Sequence, residues 1–156
     1  MFIFSKKSFL FVVSFLLLFS FSLQASKVGE DLPKLKIKFV TKKIKFSGKP
    51  LLIEFWATWC PPCKKSIPHL NKLYDKYKDK GLIIIGITGD SRSMVKKFMK
   101  TTPISYSVAT DSRNKMSKLL GIKGIPHAFL IDKDGKIIWE GHPASLKESD
   151  IEKILK

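Results

Sequence analysis

The chain has 156 residues and a formal net charge of +16 at neutral pH, which is enough length for one domain with one hydrophobic core and too little for two. Its 29 basic residues include only two arginines, Arg92 and Arg113, and they are spread along the whole chain. Since arginine is the better reader of phosphates and base edges, this composition indicates a solvated basic surface and argues against a nucleic-acid partner.

Residues 1–25 have the layout of a secretory signal peptide. Lys6 and Lys7 precede an apolar run over residues 9–23, and Ala25 offers a cleavage point. The run is shorter than the roughly 20 residues that a membrane-spanning helix requires. We therefore expect cleavage after Ala25 and an exported, periplasmic or otherwise extracytoplasmic protein. Retention of the segment as an anchor in the inner membrane is the alternative.

The predicted mature domain covers residues 26–156 and remains strongly basic. The signal segment holds two lysines and no acid, so its removal lowers the net charge from +16 to +14. A surface of this charge attracts acidic partners and anionic lipid, which allows peripheral contact with a membrane.

The first elements of this domain follow from alternation and helical periodicity. Lysines alternate with apolar residues over 35–40 and again over 43–46, which predicts a short N-terminal β-hairpin. Residues 51–57 are apolar apart from Glu54, as expected of a strand covered on both faces. From Pro61 to about residue 80 the apolar residues fall at helical spacing, which predicts one amphipathic helix.

The second half of the chain alternates further strands and helices. Strands are predicted at residues 82–87, 104–109, 127–131 and 136–139, and helices after Asp90-Ser91, after Asp111-Ser112 and over residues 146–155. Met94 and Leu119 belong to the expected inner faces of the two capped helices. Alternating strands and helices predict a parallel core with right-handed crossovers, and the final hairpin adds antiparallel strands. The expected fold is α/β, with a central mixed sheet flanked by helices.

The only 2 cysteines of the chain form the motif Cys60-Pro61-Pro62-Cys63, where the first core strand ends and the long helix begins. A thiolate at a helix N-terminus faces free N–H groups and the positive end of the helix dipole, which lower the pKa of a thiol. The second thiol, three residues later, can attack a mixed disulfide formed by the first. We therefore expect Cys60 to be the nucleophile and Cys63 the resolving thiol. A zinc site would need two further ligands and no second cysteine pair exists, so we expect neither metal nor cofactor.

Glu54 is the anomaly of the first core strand. An ionised carboxylate there would be costly without a partner, and desolvation should raise its pKa towards neutrality. Cys63 must lose a proton when it attacks the mixed disulfide, and Glu54 is the predicted acceptor. The alternative is a structural glutamate paired with Lys49 or Lys64.

Several segments together resemble the exported TlpA/ResA branch of the thioredoxin superfamily. The resemblance covers roughly residues 28–156 and is carried by residues 55–64 (FWATWCPPCK), Pro68, Gly124-Ile125-Pro126 and residues 129–135 (FLIDKDG). It implies a thioredoxin fold with an extra β-α insertion between Leu82 and Asp111. It also implies that Pro126 is a cis-proline beside the cysteines and that Ile125 offers backbone groups to a substrate peptide. We count Trp59 with them as a substrate-binding residue.

The function implied by this resemblance is reduction of disulfides in exported proteins, with apocytochromes c or copper-site proteins as substrates and a membrane thiol reductase as electron donor. A disulfide oxidase or isomerase is the alternative within enzymes. A copper-binding delivery protein, with Cys60, Cys63 and His127 as soft ligands, is the alternative from another class.

Overall fold

The structure is a computed structural model that describes residues 26–156. The signal peptide or anchor expected at residues 1–25 lies outside the described residues. The six strands form one sheet in the order β1-β4-β3-β2-β5-β6. They are β1 Lys38–Phe39, β2 Leu51–Trp56, β3 Ile83–Thr88, β4 Ser107–Thr110, β5 His127–Ile131 and β6 Ile137–Gly141. The helices are α1 Pro61–Tyr77, α2 Arg92–Met99, α3 Lys115–Leu119 and α4 Glu148–Ile154.

Strand β2 lies between β3 and β5 in the interior of the sheet, and all six of its residues are buried. It runs parallel to β3 and antiparallel to β5. Its residues 51, 53 and 55 pack on one face of the sheet with residues 116 and 120 of the α3 region. Residue 52 packs on the opposite face with α1 and α4. This two-sided cover explains why the strand is apolar on both faces.

Strands β2, β3 and β4 are parallel, so their carboxyl ends meet at one end of the sheet. Helices α1 and α2 make the two crossovers between them. In open α/β sheets, the crevice beyond these carboxyl ends is the usual position of a binding site. Among residues 26–156, no helix has the length and apolar character needed to span a membrane.

The predicted N-terminal hairpin is wrong. Only Lys38–Phe39 is a strand, and it pairs antiparallel with β4 rather than with residues 43–46, which form no strand. The alternating apolar residues of this segment, including Phe39, Ile44 and Phe46, pack against the hydrophobic core instead. The alternation therefore reflects a segment that has one side buried against the core, not a hairpin.

The first described residues also pair with the far edge of the sheet. The amide of Gly29 donates to the carbonyl of Ile137 at 2.7 Å, and the amide of Leu32 donates to Gly135 at 2.8 Å. Asp31 and Lys136 form an isolated antiparallel bridge. The segment from residue 29 to residue 39 thus contacts both edges of the sheet.

Candidate active site

The two cysteines lie where β2 ends and α1 begins. Cys60 is the N-cap of α1, and its Sγ accepts a hydrogen bond from the backbone N–H of Cys63 at 3.2 Å. The two sulfurs are joined in a disulfide, so the structure shows the oxidised state. Both cysteines are buried, but Cys60 is 3% exposed and lines a cavity, whereas Cys63 is completely buried and does not. This places Cys60 where a substrate can reach it and Cys63 behind it.

A loop before β5 lies against the cysteine pair. The Ile125–Pro126 peptide bond is cis, as expected, and the Ile125 carbonyl oxygen lies 3.9 Å from Cys60 Sγ. Trp59, next to Cys60, is 68% exposed, which is unusual for a large aromatic residue. The structure therefore brings Trp59, Cys60 and Ile125 together at one surface.

These residues line a cavity of about 570 Å³ at the carboxyl ends of the parallel strands. Its walls come from the segments that follow β2, β3 and β4 and from the loop before β5. Lining residues from these four segments are, in order, Trp59 and Cys60; Gly89 and Asp90; Asp111 and Asn114; and Lys123 and Ile125. Four loops therefore meet around Cys60.

Glu54 is fully buried on β2, and its partner is Tyr106. The Tyr106 hydroxyl donates to Glu54 Oε2 at 3.1 Å. Burial raises the pKa of Glu54 to about 8, and the hydrogen bond from Tyr106 acts in the opposite direction. The expected rise of this pKa is confirmed. The alternative partners are wrong, because Lys64 lies over the Phe98 ring and Lys49 is exposed.

The cross-strand neighbours of Glu54 are a glycine and an alanine, the two smallest amino acids. Gly86 of β3 and Ala128 of β5 lie directly opposite it in the strand register. Glu54 lies on the same face of β2 as Trp56, which packs in one cluster with Cys60 and Cys63. The carboxyl group is therefore buried on the side of the sheet that carries the cysteine pair.

A model of the Redoxin family matches residues 26–155. The chain belongs to the Redoxin family. It is 39% identical over 135 residues to the thiol-disulfide oxidoreductase ResA of Bacillus thuringiensis subsp. konkukian. This match covers 83% of this chain and 78% of that protein.

Solved structures agree with this assignment. A Chlorobium tepidum structure assigned as a thiol:disulfide interchange protein DsbE is similar with a TM-score of 0.70 and 30% identity, over 83% of this chain and 93% of that one. The thioredoxin domain of a Bacteroides vulgatus thiol-disulfide oxidoreductase is similar with a TM-score of 0.70 and 26% identity, over 85% of this chain and 100% of that one. This redoxin is a thiol-disulfide oxidoreductase of thioredoxin fold, as the resemblance in its sequence implied.

Two acidic residues of the redoxin site were foreseen only as helix caps. Asp90 Oδ2 accepts a hydrogen bond from the backbone N–H of Thr58 at 2.7 Å, which ties the loop after β3 to the loop that carries Cys60. Asp111 does cap a helix, but it also lines the cavity. The signal for both was their position within two residues of the end of a strand in a parallel sheet.

His127 lies beside the redoxin site but is engaged elsewhere. Its Nε2 lies 3.9 Å from Glu140 Oε2, and its ring packs on Phe129 with a centroid distance of 4.9 Å. Burial lowers the pKa of His127. Within residues 26–156, no three His, Cys, Asp or Glu side chains are grouped as ligands of one metal ion.

Proposed function

We propose that this oxidoreductase reduces disulfide bonds in exported proteins, with Cys60 as nucleophile, Cys63 as resolving thiol and Glu54 as proton acceptor. The observation that carries the proposal is the position of Cys60 Sγ, which lines the cavity and accepts the N–H of Cys63 at 3.2 Å. A sulfur at a helix start with an N–H donor is stabilised as a thiolate.

The first step is attack by the Cys60 thiolate on one sulfur of a substrate disulfide. A bond forms between Cys60 and that sulfur, and the other substrate sulfur leaves as a thiolate. Trp59, Ile125 and Pro126 are proposed to hold the substrate peptide. The exposed Trp59 ring and the carbonyl of Ile125, 3.9 Å from Cys60 Sγ, support this role.

The second step is attack by Cys63 on Cys60 Sγ. The Cys63 thiol gives its proton to Glu54 as the new Cys60–Cys63 bond forms and the second substrate sulfur leaves as a thiolate. The substrate disulfide gains two electrons and the cysteine pair loses two. A general base serves this role best when its pKa lies near the working pH, and the pKa of Glu54, about 8, meets that condition.

The start of α1 favours the reducing direction. Pro61 and Pro62 occupy its first two positions and have no backbone N–H, so two donors that could stabilise the Cys60 thiolate are missing. Less stabilisation of the thiolate makes the disulfide less oxidising. We predict a redox potential below roughly −200 mV, nearer the thioredoxin value of about −270 mV than the value of about −120 mV of a strong oxidant. Equilibration with glutathione buffers measures it, and a value near −120 mV would favour the disulfide oxidase instead.

The proposed setting is extracytoplasmic, with apocytochromes c or copper-site proteins as substrates and a membrane thiol reductase as electron donor. A reduced cysteine pair does not persist in an oxidising compartment without a donor. The basic surface supports contact with acidic partners or with anionic lipid.

Trapping of mixed disulfides tests the proposal. A Cys63→Ala variant, expressed in the source cell, should hold substrates on Cys60, because the resolving thiol is missing. Mass spectrometry of the complexes identifies those substrates, and the Cys60→Ala variant is the matched control that should trap none. Recovery of exported proteins bound through Cys60 supports the reductase, whereas absence of any mixed disulfide on Cys60 contradicts it.

Glu54→Gln tests the second step separately. We expect alkylation of Cys60 at the wild-type rate and slower resolution of a mixed disulfide, because the amide cannot take the proton of Cys63. Stopped-flow reduction of a disulfide substrate between pH 6 and 8 measures this, and equal resolution rates for the two proteins would remove Glu54 from the mechanism.

A further inference from the structure

We infer that Tyr106 is the residue that positions the Glu54 carboxyl group for proton transfer from Cys63, an inference that rests on the acceptor role proposed for Glu54. Tyr106 lies directly before β4 and does not belong to the cysteine motif or to the loop before β5. Its hydroxyl hydrogen bond to Glu54 Oε2 measures 3.1 Å, and both residues are at least 98% buried.

The contact spans two strands of the sheet and depends on a gap between them. Strand β3 separates β4 from β2, and the residue that lies between Tyr106 and Glu54 is Gly86. A Cβ atom at Gly86 would lie 3.1 Å from Tyr106 Cε2 and 2.9 Å from Trp56 Nε1. The absence of a side chain at this position thus lets the Tyr106 ring lie over β3 and reach the carboxyl group.

The hydrogen bond gives the two carboxyl oxygens different roles. Oε2 is held by the Tyr106 hydroxyl, whereas Oε1 is buried and has no hydrogen-bond partner among residues 26–156. Oε1 is therefore the oxygen that is open to a proton. Burial and the adjacent Glu54 keep the pKa of Tyr106 well above its usual value, so its hydroxyl remains a donor when Glu54 is ionised.

The other elements packed on this face present few titratable groups. The adjacent positions of β3 and β5 are Gly86 and Ala128, and α2 buries only Val95. Helix α1 buries Cys63, Ser66, Ile67, Leu70, Leu73 and Tyr77. The hydroxyl of Tyr77 donates to Glu152 instead. In the oxidised protein, Tyr106 is thus the titratable side chain that acts on Glu54.

The Tyr106→Phe variant tests this role because it keeps the ring and removes only the hydroxyl. Loss of the hydrogen bond should make ionised Glu54 less stable. The pH midpoint for resolution of the mixed disulfide should move up by about one pH unit, which slows resolution about tenfold at neutral pH. Above both midpoints, the two proteins should resolve at similar rates. A residue with only a structural role would not move the midpoint.

Two controls separate the possible outcomes. Tyr77→Phe removes the hydroxyl of another buried tyrosine ring on the same face and should leave the midpoint unchanged. In Glu54→Gln the midpoint that belongs to Glu54 should be lost, which leaves only the rise in rate with pH that ionisation of a thiol produces, and adding Tyr106→Phe to that variant should change nothing further. If Glu54→Gln keeps the wild-type profile, the acceptor role itself fails. If Glu54→Gln loses it but Tyr106→Phe keeps the wild-type midpoint, the role of Tyr106 fails.

Infrared titration of the oxidised protein provides a readout that needs no turnover. The carbonyl band of the protonated Glu54 carboxyl group is assigned by its loss in Glu54→Gln. In Tyr106→Phe this band should move to higher frequency and should persist to higher pH. An unchanged band and titration in a folded Tyr106→Phe protein would overturn the inference.

Discussion

Glu54, the proposed proton acceptor, also affects the stability of the fold. Its pKa is about 8 in the folded protein against an ordinary value of 4.5. Between these two values the unfolded chain has lost the proton and the folded chain has kept it. The contribution of Glu54 to stability is therefore greatest below about pH 4.5, falls as the pH rises and reaches its minimum above about pH 8.

The stability of the oxidised protein should accordingly respond to Glu54→Gln in a pH-dependent way. The variant should gain stability over the wild type from pH 5 to pH 8.5, by up to about 1.4 kcal/mol for each pH unit within the titration range. Urea midpoints at the two pH values measure the difference. Glu148→Gln is the control, because the salt bridge to Lys76 lowers the pKa of Glu148 and that variant should show no such gain. A constant difference between Glu54→Gln and wild type would contradict the prediction.

The sequence predicts Glu54 but not Tyr106. Glu54 is the single acidic residue in the otherwise apolar segment 51–57. Its partner depends on the strand order, which places β4 two strands away from β2, and on the gap at Gly86. Neither fact follows from local composition. Lys49 and Lys64, the partners in the alternative interpretation of Glu54, lie much closer to it in sequence than Tyr106 does.

Helix α3 is likewise predictable from the sequence only in part. The sequence places a helix cap at Asp111, and Asp111 Oδ2 does accept hydrogen bonds from the backbone N–H groups of Met116 and Ser117, at 2.8 and 3.2 Å. The helix begins only at Lys115, however, because Arg113 and Asn114 adopt positive φ angles of 65° and 54°. Hydrophobic periodicity does not predict these two positive φ angles.

In both α2 and α3, an apolar residue expected on the inner face is exposed. Leu119, expected on the inner face, is 60% exposed, and Met94 of α2 is 48% exposed. Helices α2 and α3 have only 8 and 5 residues, so each is too short for periodicity alone to fix the orientation of its buried face. The 17-residue helix α1 buries residues 67, 70, 73 and 77, as its spacing predicts.

Removal of the α3 cap should destabilise the fold. Asp111→Ala leaves two backbone N–H groups without their acceptor, and we expect a loss of about 1–2 kcal/mol in the free energy of unfolding. Asp111→Asn keeps one carbonyl acceptor and should lose less. Ser91→Ala, which removes the exposed cap of α2, is the matched comparison and should cost about 0.5–1 kcal/mol. Urea denaturation measures all three, and wild-type stability of Asp111→Ala would show that the cap does not stabilise the helix.

At the scale of the whole molecule, the parallel core, the final hairpin and the helices on both faces of the sheet were the most predictable features. Alternation of buried strands with amphipathic helices dictates parallel neighbours, and β2, β3 and β4 are parallel. The turn sequence Asp132-Lys133-Asp134-Gly135 predicts the final hairpin, and β5 and β6 form it. The N-terminal segment was not predictable, because its partner strand lies some 70 residues later in the sequence.

The net charge of the domain should accelerate reactions with anionic disulfides. Residues 26–156 carry the basic excess of the chain, and the cavity that Cys60 lines is also lined by Lys123, Asp90 and Asp111. Between about 0.01 M and 1 M salt the Debye length falls from about 30 Å to about 3 Å. Reduced protein should therefore react roughly tenfold more slowly with the dianionic Ellman's reagent at high salt. Neutral 2,2′-dithiodipyridine is the control and should react at a nearly constant rate; an equal salt effect on both reagents would contradict charge steering.

The N-terminal segment that contacts both sheet edges restricts how a protein partner can be recognised. β-Augmentation, in which a peptide adds a strand to a sheet, needs a row of free backbone groups at an edge. In the part of the chain that the structure describes, β4 is covered by β1, and the start of β6 is covered by residues 29–32. An incoming strand is left with the two residues of β1 or the later part of β6. We therefore expect substrate and electron donor to bind through a few contacts around Cys60, in short-lived complexes that exchange rapidly.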